Sequence, residues 1–139
     1  MMNSLKNPSG FTMIELLAVL FILAVATSVV GISISSTLEK SRLRQEVAGV
    51  RNLMGYARDK ALTERRPVIF YVKKNGSYGL EGGRALVIGK GLKFKSDSKV
   101  IFFPKGNSSG GEVGIVSAEG RAYRVYVDPA TGESSIKRL

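Results

Sequence analysis

The sequence predicts an α+β fold: one long N-terminal helix, apolar in its first half and amphipathic in its second, packed on antiparallel β-sheets. Three observations carry this. Leu16 to Ile34 is a run of 19 residues without a charge. Leu43, Val47, Val50, Met54, Ala57 and Ala61 then recur at spacings of four and three, which lines one helix face. From Val68 onward, short β-branched and aromatic runs alternate with Gly, Pro, Asn and Asp, the pattern of strands and turns.

Residues 1–10 read as a leader, short and polar, with Pro8 and Gly10. Residues 12 to about 64 read as one helix. As a helix, the uncharged run would span roughly 29 Å, about the hydrocarbon thickness of a bilayer. Residues 11–38 are therefore expected to form a transmembrane half. Glu15 sits at the edge of the run. A carboxylate there is costly in lipid and calls for a partner or a role. Ser28, Ser33, Ser35 and Ser36 mark where the helix would leave lipid, and Gly31 would bend it, since glycine weakens a helix interior.

Residues 39–139 are expected to form a domain outside the membrane, made of the amphipathic half of the helix and a β region from about residue 68. Gly49 and Gly55 lower helix propensity, so packing must supply stability, and small residues would let strands approach closely. Pro67 closes the helical region. Val68–Val72 reads as a strand, turned by Asn75-Gly76 in a two-residue hairpin onto Tyr78-Gly79-Leu80. Ala85–Ile88 is a short apolar run. Leu92 and Phe94 alternate with Lys93 and Lys95, a half-buried strand with a basic outer face. Lys99–Phe103 is the next strand, followed by a flexible loop at Asn107–Gly111. Glu112–Val116 and Ala122–Val127 form a hairpin. Asp128-Pro129-Ala130-Thr131-Gly132 is a tight turn before a last strand at Ser134–Ile136.

The chain has 139 residues, no cysteine and no histidine. Disulfides, thiol chemistry and the commonest general base and metal ligand are thus absent. The 11 acids are scattered, and no Asp-x-Asp-x-Asp-Gly calcium loop is present. Asp97 and Asp128 read as turn residues. No catalytic role, metal or cofactor is expected. Of the charged residues only Lys6 and Glu15 precede Glu39, so the C-terminal domain carries the whole net charge of +10. Such a balance suits anionic partners or a solvated basic surface.

The N-terminus admits a secretory signal with Lys6 as its basic region and Ala24-Val25-Ala26 as cleavage site. Glu15 inside the apolar core and the apolar pattern past Ala26 argue against it. A plain single-span anchor leaves Glu15 unexplained. Gly10-Phe11-Thr12-Met13-Ile14-Glu15-Leu16-Leu17 instead resembles the processing signal of type IV pilins and type II secretion pseudopilins. That resemblance implies cleavage between Gly10 and Phe11 by a membrane prepilin peptidase, which also methylates the new amine of Phe11. It implies a single-pass protein of the bacterial inner membrane, with its C-terminal domain in the periplasm, joining other pilins or pseudopilins in a filament. Glu15 would then face the amine of a neighbouring subunit, because an ion pair in lipid offsets two desolvation costs at once.

Three further features are similar to the GspH/FimT family of minor pseudopilins and minor pilins: Ala57-Arg58 with Ala61, the segment Ile101–Gly111, and the closing Thr131-Gly132 with its basic end. Residues 73–98 match no pattern of that family. The resemblance implies a long helix packed against antiparallel sheets, a pilin-like fold. It implies a structural subunit of the type II secretion pseudopilus, acting in assembly at the tip of a periplasmic filament. The alternative is a minor type IV pilin that primes pilus assembly or binds DNA during natural transformation. For the DNA or acidic-surface reading the candidate residues are Arg121, Arg124, Lys137 and Arg138. Arg121 and Arg124 would share a patch only if the hairpin turn includes Arg121. The lysines around Leu92–Phe94 are expected to matter less.

Overall fold

The structure, a computed structural model, describes residues 10–139, except the side chains of residues 30–35. The leader before Gly10, and the side chains Ser33 and Ser35 together with Gly31, lie outside the described residues. The element order is α1 (Met13–Glu64), β1 (Val68–Val72), β2 (Ser77–Leu80), β3 (Leu86–Val87), β4 (Leu92–Phe94), β5 (Ser98–Phe102), β6 (Gly111–Ser117), β7 (Ala122–Val127) and β8 (Ser134–Arg138). This is the α+β arrangement the sequence implies: a long N-terminal helix packed on two antiparallel sheets. The chain divides into two compact units, the first ending at Glu39 and the second running Lys40–Leu139.

In the first unit, the large apolar side chains from Met13 to Val25 are exposed. Among the described residues, no helix is long and apolar enough to cross a membrane. The uncharged run Leu16–Ile34 extends into residues 30–34, whose side chains are not described, so the expected span is only partly in view.

In the second unit, Leu43, Val47, Val50, Met54, Ala57 and Ala61 are all buried to within 1%. They are the stripe read from the spacing. The strands form two sheets of order β3-β2-β1-β5 and β4-β6-β7-β8. β4 and β5 exchange between them: the chain leaves the first sheet for β4, returns for β5, then completes the second. The first sheet turns Val68, Phe70, Val72, Tyr78, Leu80, Val100 and Phe102 inward. The second turns in Phe94, Val113, Ile115, Val125 and Val127, and all of these join the helix stripe in one core. Tyr78 meets Phe94 edge-on, with ring centroids 5.7 Å apart. Burial holds the Tyr78 phenol above its usual pKa, and the Glu46 carboxylate adds to the shift. Among the described residues, no buried side-chain polar atom lacks a hydrogen-bond partner.

Several local readings change. The Asn75-Gly76 turn is a three-residue loop, not a two-residue one. Val72 pairs with Tyr78, the Lys73 N–H donates to the Ser77 carbonyl, and Gly76 takes φ 95°, the left-handed position that closes such a loop. Asp97 accepts from the Lys74 N–H at 2.6 Å, and Asp128 accepts from the N–H groups of Ala130 and Thr131. Asp128 is a turn residue, as read, whereas Asp97 precedes β5 and ties down a different turn, the one at Lys74. The segment 107–110 is tied to its surroundings by hydrogen bonds, and Gly111 already begins β6. Ser108 is buried and donates to the Asp128 carbonyl, while Ser109 bonds both backbone groups of Ile101. No strand approaches Gly49 or Gly55, where an added Cβ would meet nothing within 4 Å. The Ala85–Ile88 run buries only Ile88.

Arg58 ties the helix to two connections at once. Its Nε donates to the carbonyls of Thr131 at 3.0 Å and Gly106 at 3.4 Å. Gly132 packs beneath it with φ 69°, and a Cβ there would stand 2.5 Å from the Gly106 oxygen. Gly132→Ala should therefore combine left-handed strain with a backbone clash and cost about 2 kcal/mol or more. Gly120→Ala has a similar φ of 83° but open space around the new methyl. It should cost about 1 kcal/mol. Denaturant midpoints of the two variants check the difference.

Candidate functional site

The N-terminal site is built on the first turn of α1. Thr12 is its N-cap: the Thr12 carbonyl accepts from the Leu16 N–H at 3.1 Å, and Thr12 Oγ1 accepts from the Glu15 N–H at 3.3 Å. Glu15 therefore occupies the third helical position, the acidic place of a Thr-x-x-Glu capping box. Its charge also suits the positive end of the helix dipole. Gly10 and Phe11 precede the cap, outside the helix, and Phe11 is 80% exposed. The bond between them is open to an enzyme that binds extended chain. Gly10 has no left-handed φ, and a Cβ there would meet nothing within 4 Å. Among the described residues, nothing in the local fold requires glycine at this position.

The basic residues separate by strand register. β6, β7 and β8 align Gly114, Arg124 and Lys137 in one cross-strand row. β4 ends beside that row: the Lys95 N–H donates to the Gly114 carbonyl, and the Lys95 stem lies where a Gly114 side chain would stand. Lys93 faces Val116 one row away. Alternation puts Lys93, Lys95, Arg124 and Lys137 on the outer face of the second sheet, opposite buried Phe94, Ile115 and Val125. Glu112 partly offsets this charge, with Oε2 3.3 Å from Arg124 Nε. Tyr126 is exposed in the neighbouring row.

Of the four residues expected to form the patch, the structure brings Arg124 and Lys137 together. Arg138 pairs with Tyr123 and follows the strand face that carries Ile136 to the core. Arg121 follows the turn at 118–120: the Ser117 N–H donates to its carbonyl, alternation sets it on the face opposite Arg124, and its Nη2 is 3.3 Å from Glu119. Lys93 and Lys95, expected to matter less, belong to the row instead. The alternation of Leu92 to Lys95 already showed their basic face. What it lacked was the strand they would stand beside.

Residues 5–31 match the family described as "Prokaryotic N-terminal methylation motif". Neither the curated proteins compared nor the solved structures compared give a match. The motif match and the exposed bond lie in the same place, so processing is expected at Gly10–Phe11. The mature chain should begin at Phe11 with a methyl group on its amine. Intact-mass and N-terminal analysis of protein purified from membranes checks this. A chain starting after Ala26 would indicate a signal peptide instead.

Proposed function

We propose that this chain is a minor pseudopilin, a structural subunit of the type II secretion pseudopilus that acts in assembly at the tip of a periplasmic filament. The observation that carries the reading is the methylation motif at residues 5–31 on a chain that continues into a helix-on-sheets domain. The state of Gly10 supports it, because a glycine that the fold does not use is explained by a peptidase that reads it. The GspH/FimT assignment draws support from Arg58. The three segments that resemble that family meet at this side chain: the helix around Ala57-Arg58, the connection at Gly106 and the turn at Thr131-Gly132. The reading places the N-terminal helix in the inner membrane and the C-terminal domain in the periplasm. Partners are the prepilin peptidase and other pseudopilins, and the chain needs neither cofactor nor catalysis of its own.

In this reading Glu15 has two tasks. It stabilises the first turn in its own chain, and in a filament it neutralises a neighbour's amine. A negative charge in the first turn is worth about 0.3–1 kcal/mol, whereas an unpaired charge in lipid is costlier. Glu15→Ala should therefore leave the protein inserted at normal amounts while cross-linking to partner pseudopilins and export of folded proteins fall. Glu15→Gln keeps the reach of the side chain without its charge and should behave like Glu15→Ala. Normal incorporation of both variants would reduce Glu15 to a stabilising charge in the first helical turn.

The basic row favours a second reading, a minor pilin that binds DNA. Lys93, Lys95, Arg124 and Lys137 share a face, with Tyr126 beside them. The full chain in detergent should then bind duplex DNA without sequence preference, with a salt slope of about −0.9 per phosphate neutralised. Changing those four residues to glutamine should flatten the slope more than changing Arg121 and Arg138. Anisotropy titrations at several salt concentrations decide it. Absence of binding at low salt removes this reading and leaves the secretion role.

A further inference from the structure

Phe94 is 2% exposed, yet its backbone groups are not used by the sheet it belongs to. The Lys95 N–H donates to the Gly114 carbonyl, and the Ala118 N–H donates to the Gly91 carbonyl. Lys93 pairs with Val116 between them, so the bonds to β6 fall on residues 91, 93 and 95. The N–H and C=O of Phe94, and the C=O of Leu92, therefore point away from β6. The Leu92 N–H is already taken by the Gly89 carbonyl. Among the described residues, both groups of Phe94 and the Leu92 carbonyl meet no partner in this chain. Buried backbone groups are almost always paired, so an unmet donor and acceptor on one buried residue call for a partner outside the chain.

β4 adjoins an open groove of about 380 Å³, bounded across from it by the loop that joins β1 to β2. Its apolar lining includes Ile88, Leu92 and Phe94. Its charged lining is Lys74, Lys90 and Lys93, and no acid lines it. None of these three lysines has an ion-pair partner among the described residues. Two carboxylates stand nearby. Asp97 accepts from the Lys74 N–H, and Glu46 packs against Gly89 and acts on Tyr78. Neither is part of the lining.

We infer that this groove receives an extended acidic segment of another protein, which lies along the open side of β4. Charge sets the first requirement: a lining with three lysines and no acid suits carboxylates. The backbone sets the second. The carbonyls of Leu92 and Phe94 need donors, and phosphodiester groups have none. A peptide main chain carries both donors and acceptors at strand spacing. The apolar lining sets the third, because it suits a non-polar residue between two acidic ones. β4 has only three residues, so few main-chain bonds form and the lysines supply much of the attraction. The inference rests on the C-terminal unit alone and is independent of the filament role. Lys93 also belongs to the outer-face row, whereas Lys74 and Lys90 do not, so the two sites can be tested apart.

The test uses the full-length protein in detergent and a capped heptapeptide, Glu-Val-Glu-Val-Glu-Val-Glu. At about 1 mM, enough to reveal even a weak complex, the peptide should slow amide hydrogen exchange at Phe94. The amides of Lys93 and Lys95, already bonded to β6, should keep their rates. A lysine-for-glutamate version should bind at least about tenfold more weakly. A version with proline for the central valine keeps every charge but lacks a main-chain donor, and should also bind about tenfold more weakly. Lys74 and Lys90 are exposed, so Lys74→Gln with Lys90→Gln should fold normally and weaken the acidic peptide by about tenfold or more. Arg124→Gln with Lys137→Gln, on the outer-face row, should leave its affinity within about twofold. Absence of slowing at Phe94, equal binding of the lysine or proline peptide, or full binding to the Lys74 and Lys90 variant would each overturn the inference. Duplex DNA that slows exchange at Phe94 and is weakened by the same two substitutions would give the groove to nucleic acid and overturn it as well.

Discussion

Burial of one stripe of α1 is the constraint on which the rest of the second unit depends. The two sheets contain strands of two to seven residues, too short to be stable as isolated hairpins. Their inward faces meet Leu43 to Ala61, and the whole set becomes one core. The exchange of β4 and β5 between sheets reinforces this, because neither sheet can form from a continuous stretch of chain. Arg58 then fixes where the helix sits along the core. Its planar donor reaches two carbonyls on separate connections, Gly106 and Thr131, so sliding the helix would leave both unpaired. Gly132 allows that approach by having no side chain.

What was legible in the sequence was what depends on local period. The helix stripe repeats every three to four residues, and burial selects the same six positions. Val68–Val72 and Ala122–Val127 coincide with β1 and β7, because β-branched and aromatic runs leave little alternative. The N-terminal motif was legible for the same reason: its meaning lies in the order of neighbouring residues. The loop at residues 74–76 was less so. Asn-Gly marks a turn, but the number of loop residues is set by the pairing of Val72 with Tyr78, which the dipeptide does not encode.

The basic row shows where such reading stops. Arg124 and Lys137 are 13 positions apart in the chain and adjacent in the sheet. A shift of one residue in that pairing would move Lys137 to the core side and bring Arg138 to the row. Counting charges along the chain therefore grouped Arg138 with Lys137, whereas the register separates them. Lys95 enters the row only because Gly114 leaves a gap for its stem. A glycine in one strand thereby decides which lysine of another stands beside Arg124.

The glycines divide by what the fold requires of them. Gly132 has a left-handed φ and a carbonyl 2.5 Å from its absent Cβ, so its own fold demands glycine. Gly10 and Gly55 have neither, and Gly55 weakens the helix that organises the core. Where local sequence opposes local stability without an internal reason, the reason is sought outside the chain. Gly10 lies inside the matched methylation motif, residues 5–31, and the proposed reader is a peptidase that acts beside Phe11. At Gly55 the described residues leave open space beside the helix. A side chain there would strengthen the helix by about 1 kcal/mol, and no packing among the described residues opposes one.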